Sequence, residues 1–150
     1  MVKLSELFSD WERIRKEMVN AVRPLTKAQL DWKPEGGLNS IADLLRHISE
    51  AELWWFGNVI LSKKNYRNLT AEMAPDIDSI LTELERNHEY VTEVMHSMTI
   101  ENLDGKYRRP KSDEVLSLKD IAFHTFEHEA RHRGQIFMLM RLQGIAPPNV

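Results

Sequence analysis

Apolar residues recur along the chain in steps of three and four. Leu4, Leu7, Phe8, Trp11, Ile14, Met18, Val19 and Val22 mark one face of a helix over Leu4–Val22, with charged residues between them. Pro24 stands just beyond it, and a proline pushes the residue before it out of the α region. Ile41, Leu44, Leu45, Ile48, Ala51 and Trp55 predict a second helix from Ile41 to about Leu61, opened by Ser40-Ile-Ala-Asp43, a capping box with Asp in place of Glu. Ile77, Ile80, Leu81, Leu84, Val91, Val94 and Met98 predict a third, ending near Ser97. Ser117-Leu-Lys-Asp120 repeats the capping pattern and starts a fourth. Its inward stripe reads Leu118, Ile121, Thr125, His128, His132, Ile136 and Leu139, and Gly144 sits at its C-cap with Pro147-Pro148 beyond.

The segments between these patterns differ in kind. Leu25 to Asn39 contains Pro34, Gly36 and Gly37 and reads as an ordered loop that Leu30 and Trp32 pin to the core. Ser62 to Pro75 is a polar connection. From Thr99 to Leu116 the periodicity fails, and Gly105, Pro110 and the basic run Lys106-Tyr-Arg-Arg109 predict a long solvated loop. Connections of that length inside a compact domain are uncommon and often functional. Four amphipathic patterns and no strand pattern predict an all-α four-helix bundle, one domain over residues 1–150, with long connections before the second and fourth helices. Both simple up-down topology and a variant connectivity fit these lengths.

Composition narrows the chemistry. A formal charge of -3 supplies no global basic field for nucleic acid or an anionic membrane, so neither partner is expected. No uninterrupted apolar run approaches the ~18 residues of a membrane span, and the N-terminal segment lacks the basic start and apolar run of a signal peptide. A cytoplasmic protein is the expectation. With no cysteine there is no disulfide, thiolate ligand or thiol nucleophile, so soft chemistry would have to come from a substrate thiol.

The candidate chemistry lies in histidines at 124, 128 and 132 on the fourth helix. A four-residue step turns ~400°, so neighbours in this series lie ~40° apart and roughly 6 Å along the axis, while the outer two are roughly 12 Å apart. One metal ion, with Zn–N bonds of about 2 Å, can therefore take only one adjacent pair. His128 and His132 fall on the inward stripe. Hydrogen-bonded core histidines are the competing reading. On the second helix His47 sits in the run Leu44, His47, Ala51, Trp54, which makes a third imidazole available from a facing helix. Three imidazoles form an open site of the catalytic type, and bundle cores build metal sites from facing helices. Glu50, Glu127 and Glu129 are candidates for accepting a hydrogen bond from a ligand imidazole or for proton transfer, against a reading of each as surface charge. His124 reads as a neighbour of the site, His88 as a satisfied core or rim histidine, and His96 as surface. Trp54 is placed to wall a pocket, and Gly134 to allow close packing of the ligand helix.

The chain resembles the DinB-like superfamily of metal-dependent four-helix-bundle enzymes. The likeness spans nearly the whole chain. It rests on Leu25-Thr-Lys-Ala-Gln-Leu-Asp-Trp-Lys-Pro34, on Asn39-Ser-Ile-Ala-Asp-Leu-Leu-Arg-His-Ile48 and, most specifically, on His128-Glu-Ala-Arg-His-Arg-Gly-Gln-Ile136. The resemblance implies a bundle of non-standard connectivity, frequent dimers, and a divalent ion such as zinc or nickel on His47, His128 and His132. It also implies a small-molecule substrate and a low-molecular-weight thiol of the bacillithiol, mycothiol or glutathione type, in transferase or isomerase chemistry, with hydrolases and damage-induced proteins among the relatives. The expectation is a metal-dependent enzyme that activates a thiol or water as a transferase or hydrolase. A non-catalytic metal- or ligand-binding stress-response bundle is the alternative.

Overall fold

The computed structural model describes residues 1–149. Its principal helices are α2 (Ser9–Val22), α4 (Ile41–Leu53), α5 (Ile77–Ser97) and α6 (Leu118–Leu142), with short α1 (Leu4–Leu7) and α3 (Lys27–Asp31) beside them. The expected first helix is broken at Phe8, whose backbone leaves the helical region at φ -105° and ψ 29°. The detached first turn is held by the far end of α5, where the Leu4 N–H donates to the Met98 carbonyl at 2.9 Å. Reciprocal capping boxes open α3 (Thr26, Gln29), α4 (Ser40, Asp43), α5 (Asp76, Ser79) and α6 (Ser117, Asp120). Each satisfies N–H groups that a helix start otherwise leaves without partners. Past the end of α6, Gly144 takes the left-handed conformation at φ +76°, where a side chain would be strained.

Side-chain pairings fix the direction of each helix. Trp11 and Glu17 of α2 meet Glu129 and Arg133 of α6, so these two run parallel. Glu12 and Arg15 reach His88 and Leu84 in the reverse order, so α5 opposes α2. His47 faces His128 while Trp55 faces His124, so α4 opposes α6. The order is up, down, down, up. Parallel α4 and α5 require a crossover, and residues 61–76 supply it, with Leu69 and Ala74 buried as anchors. The connectivity is therefore the non-standard variant, and the connection that sets it precedes the third long helix.

Two features depart from the periodic reading. The second long helix continues past Leu53 as a π-helical segment, Trp54–Ile60, rather than as α-helix. Within it Gly57 leaves no room for a Cβ, which would collide with the side chain of Asn65. The expected loop after α5 contains a hairpin, β1 (Lys106–Arg108) antiparallel to β2 (Val115–Ser117), with Tyr107 opposite Leu116. Three-residue strands are too short to show alternation. In the loop after α2, Leu30 is buried as expected but Trp32 is 36% exposed and does not anchor it.

The core is divided. One apolar cluster gathers Met18, Leu45, Ile48, Ile80, Leu84 and Ile136, and the other gathers Trp11, Phe56, Val91, Leu118 and Ile121. On every long helix a polar or charged residue lies between the two, namely Arg15, Glu52, His88 and Glu129, and all four are buried. No described helix is long and apolar enough to cross a membrane.

Candidate metal centre

The structure brings His47, His128 and His132 together, with one ring nitrogen of each within 4.8 Å of the others. The capping box at Ser40 starts α4 so that His47 faces α6, and the four-residue step along α6 stacks the other two rings. His47 Nε2 lies 2.9 Å from His128 Nε2, which lies 3.1 Å from His132 Nε2. An ion bound at about 2.0–2.1 Å holds neighbouring nitrogens roughly 3 Å apart, so the spacing matches chelation.

The donor set supports the same fit. His132 Nδ1 donates to Gln135 Oε1 at 2.5 Å, which leaves its Nε2 lone pair facing the others. His47 Nδ1 faces Glu50 Oε1 at 3.7 Å, an orientation that likewise turns the Nε2 lone pair inward. His128 Nε2 can donate to one of these neighbours but not to both. At least one of the two close Nε2 contacts therefore has no hydrogen bond, and a cation held between the three rings would satisfy both.

The rings are at the rim of the α4–α6 seam, not in the core. His128 and His132 are half-buried, and the side chain of His47 is 45% exposed. Burial pushes the His128 imidazole down to about 4, helped by the like charges of His132, His47 and His124. Burial also lowers His132, partly opposed by its hydrogen bond with Gln135. Both shifts favour the neutral imidazole at His128 and His132, the form that ligates a metal.

The carboxylates separate into three situations. Glu50 Oε2 accepts from the Leu69 N–H at 2.8 Å, so one side chain ties the crossover loop to the position of His47. Glu127 is exposed and paired with Arg131 at 2.5 Å, and that hydrogen bond holds its carboxyl below the ordinary carboxylate range. Glu129 is 1% exposed, which corrects its reading as surface charge. It accepts from Trp11 Nε1 at 2.5 Å and from Arg15 Nε and Nη2 at 2.6 and 2.8 Å. Arg15 Nη2 also reaches Glu52 Oε1 at 3.0 Å.

His88 completes this core network, with Nδ1 2.9 Å from Glu52 Oε2 and Nε2 2.7 Å from Glu12 Oε1. An imidazole donates from both nitrogens only as the imidazolium. Two buried cations, Arg15 and His88, thus face two buried carboxylates, Glu52 and Glu129. Burial alone would lower His88, but the Glu52 hydrogen bond and the charges of Glu52 and Glu129 outweigh it and Arg15, and its pKa is raised. A groove of about 710 Å³ between α2 and α5 opens onto Arg15 and His88. It is separate from the triad, whose own neighbour is a polar cavity of about 410 Å³ lined by His47, Glu50, Asp43 and Arg46.

The other sequence candidates are dispersed. His124 is exposed, its ring 6.1 Å from that of His128 and 5.0 Å from that of Trp55. His96 is exposed. Gly134 has open space where a Cβ would stand, so it has no role in close packing. Neither Arg15 nor Glu52 stands out in the sequence; the one available signal is that positions 11, 15, 18 on α2 and 48, 52, 56 across α4 and the π-helical segment put each charge on an apolar stripe, which marks burial but not the partner.

The sequence model of the DinB superfamily matches residues 10–136. A solved structure of a DinB-like protein from Bacillus cereus ATCC 10987 superposes with a TM-score of 0.78 and 16% sequence identity, covering 99% of this chain and 97% of that one. At that identity the likeness carries the fold. None of the curated proteins matches the chain in sequence.

Proposed function

The chain belongs to the DinB superfamily, and on that footing we propose that His47, His128 and His132 hold a divalent ion, zinc or nickel, in an enzyme that activates a small-molecule thiol or water. The observation that carries this reading is the convergence of three imidazoles, with His128 Nε2 2.9 Å from His47 Nε2 and 3.1 Å from His132 Nε2, the latter two rings turning their opposite nitrogen to an oxygen of Glu50 and Gln135 respectively. When bound, such an ion supplies Lewis acidity and lowers the pKa of a thiol or water in its open position.

A bound ion activates water and thiol alike, so the preference for a thiol rests on the resemblance to thiol-dependent relatives, with the cysteine-free chain taking its thiol from outside. Glu50 is committed to the Leu69 N–H and Glu127 to Arg131, so both of these carboxylates already have partners. In this reading Glu50 positions His47, Gln135 positions His132, and the thiol-dependent transferase is preferred over the hydrolase.

Metal analysis of untagged protein tests the proposal directly. After reconstitution with zinc or nickel and removal of free ion, about one ion per chain is expected. A substoichiometric, non-saturable content would remove the metal site and the chemistry built on it.

A further inference from the structure

Toward the hairpin, the α4–α6 seam continues beyond the three imidazoles as a wall of rings. His124 stands between His128 and Trp55, with ring centroids 6.1 and 5.0 Å away. Trp55 meets Trp54 nearly edge-on at 4.7 Å. The Arg109 guanidinium lies over both indoles, 5.4 Å from the centroid of Trp54 and 5.7 Å from that of Trp55. The wall is assembled from α6, the π-helical segment and the residue after β1. Single-turn π segments are frequent at functional sites, and here one presents consecutive half-buried tryptophans beside the triad.

The two flanks of the triad differ in their cations. On the far side of His47, Lys33 Nζ lies 2.8 Å and Arg46 Nη1 3.3 Å from Asp43, and Arg46 Nε donates to the Ala74 carbonyl at 2.9 Å. Those two cations are already engaged. Arg109 donates from Nη1 to the exposed Glu114 at 3.0 Å, and its Nε and Nη2 have no side-chain or backbone acceptor among the described residues. A guanidinium fixed on aromatic faces with an open edge is suited to accept a carboxylate.

Resting on the metal reading above, the geometry points to Arg109, Trp54, Trp55 and His124 as the subsite for an organic acid. The carboxylate lies on the open edge of Arg109, an apolar stem several carbons long runs along the indoles and His124, and the donor atom reaches the imidazoles.

The probes are 6-mercaptohexanoate and 6-mercaptohexanol, titrated into untagged cobalt(II)-loaded protein and followed by the cobalt absorption spectrum. One charge-assisted contact corresponds to about tenfold in affinity, so the acid is expected to bind about tenfold more tightly than the alcohol. Arg109→Gln is expected to abolish that preference while leaving the alcohol's affinity unchanged. Glu114→Gln, which releases the competing carboxylate, is expected to strengthen binding of the acid a few-fold. Equal binding of acid and alcohol by the unsubstituted protein, or a preference that survives Arg109→Gln, overturns the subsite. Hexanoate against hexanol, read by tryptophan fluorescence in metal-free protein, examines the wall without the metal. An Arg109-dependent preference there sustains the subsite even if no thiol perturbs the cobalt spectrum, a result that would strike the metal–thiol reading alone. Where no thiol perturbs the cobalt spectrum, absence of the preference in the fluorescence measurement overturns the subsite.

Discussion

His88 is more deeply buried than His128, yet its imidazole is pushed up while that of His128 is pushed down to about 4. Burial alone would lower both. The difference lies in what the ring nitrogens face. His88 has a carboxylate oxygen on each side, within a layer where two buried carboxylates balance two buried cations. His128 faces two other imidazoles, and its neighbours His124 and Arg131 add no negative charge. The first arrangement keeps a proton and holds helices together. The second disfavours a proton and leaves ring nitrogens that could bind a metal. Glu129 and His128 are adjacent in sequence, about 100° apart around α6, and belong to opposite arrangements.

That contrast breaks most visibly at Glu129. Glu129→Gln leaves Arg15 buried with one fewer countercharge, and losing one partner of a buried pair costs about 3–5 kcal/mol. Denaturant unfolding of metal-free protein at neutral pH is expected to show a loss of that size. A loss below about 1 kcal/mol would mean that the core layer does not depend on its charge balance. The adjacent substitution should behave in the opposite way. His128→Ala is expected to change folding stability of the metal-free protein by less than about 1 kcal/mol, because the ring is half-exposed and makes no pairing with the core network. Its effect belongs to metal affinity, with an expected loss of more than about 100-fold by competition against a chelator, since even outer hydrogen-bond partners are worth 10–100-fold. Gln135→Ala tests that outer contribution. Without the acceptor on His132 Nδ1, affinity is expected to fall about tenfold, and unchanged affinity would show that the 2.5 Å contact does not set the ring's tautomer.

Much of this was legible in the sequence, and most of the exceptions share a cause. The helices and their starts could be read because apolar spacing and Ser-x-x-Asp caps are local signals. His47 could be read because its spacing on the second helix supplied what the HxxxH pair lacked. Directions were not legible, since connection lengths fit either topology and only cross-helix pairs such as Trp11 with Glu129 decide it. Glu129 read as surface charge because its countercharge, Arg15, lies 114 residues away. The Arg109–Trp54 contact is likewise long-range, while the hairpin is local but its three-residue strands leave no period to detect. The residues of the triad were thus identifiable one by one, whereas the buried layer is visible only as a set of distances.

The smallest expected effect is the most specific to the comparison, because its sign differs between the two histidines. His88 has a raised pKa, so its stabilising contribution is complete below the ordinary value of 6.5 and is lost as pH rises through the folded-state value. The stability difference between the unsubstituted protein and His88→Gln should therefore shrink on going alkaline. His128 has a folded value of about 4, so between pH 4 and 6.5 the unfolded chain binds more protons at that site and folding stability rises with pH. In metal-free protein, His128→Gln should gain relative to the unsubstituted chain as pH falls through that window. Solvent screening at the half-exposed ring keeps the gain on the order of 1 kcal/mol. Unfolding titrations of the two variants at several pH values, each referred to the unsubstituted protein at the same pH, read the two slopes with the contribution of uncoupled titrating groups cancelled. Slopes of the same sign would mean that burial, rather than the identity of the facing groups, governs both histidines.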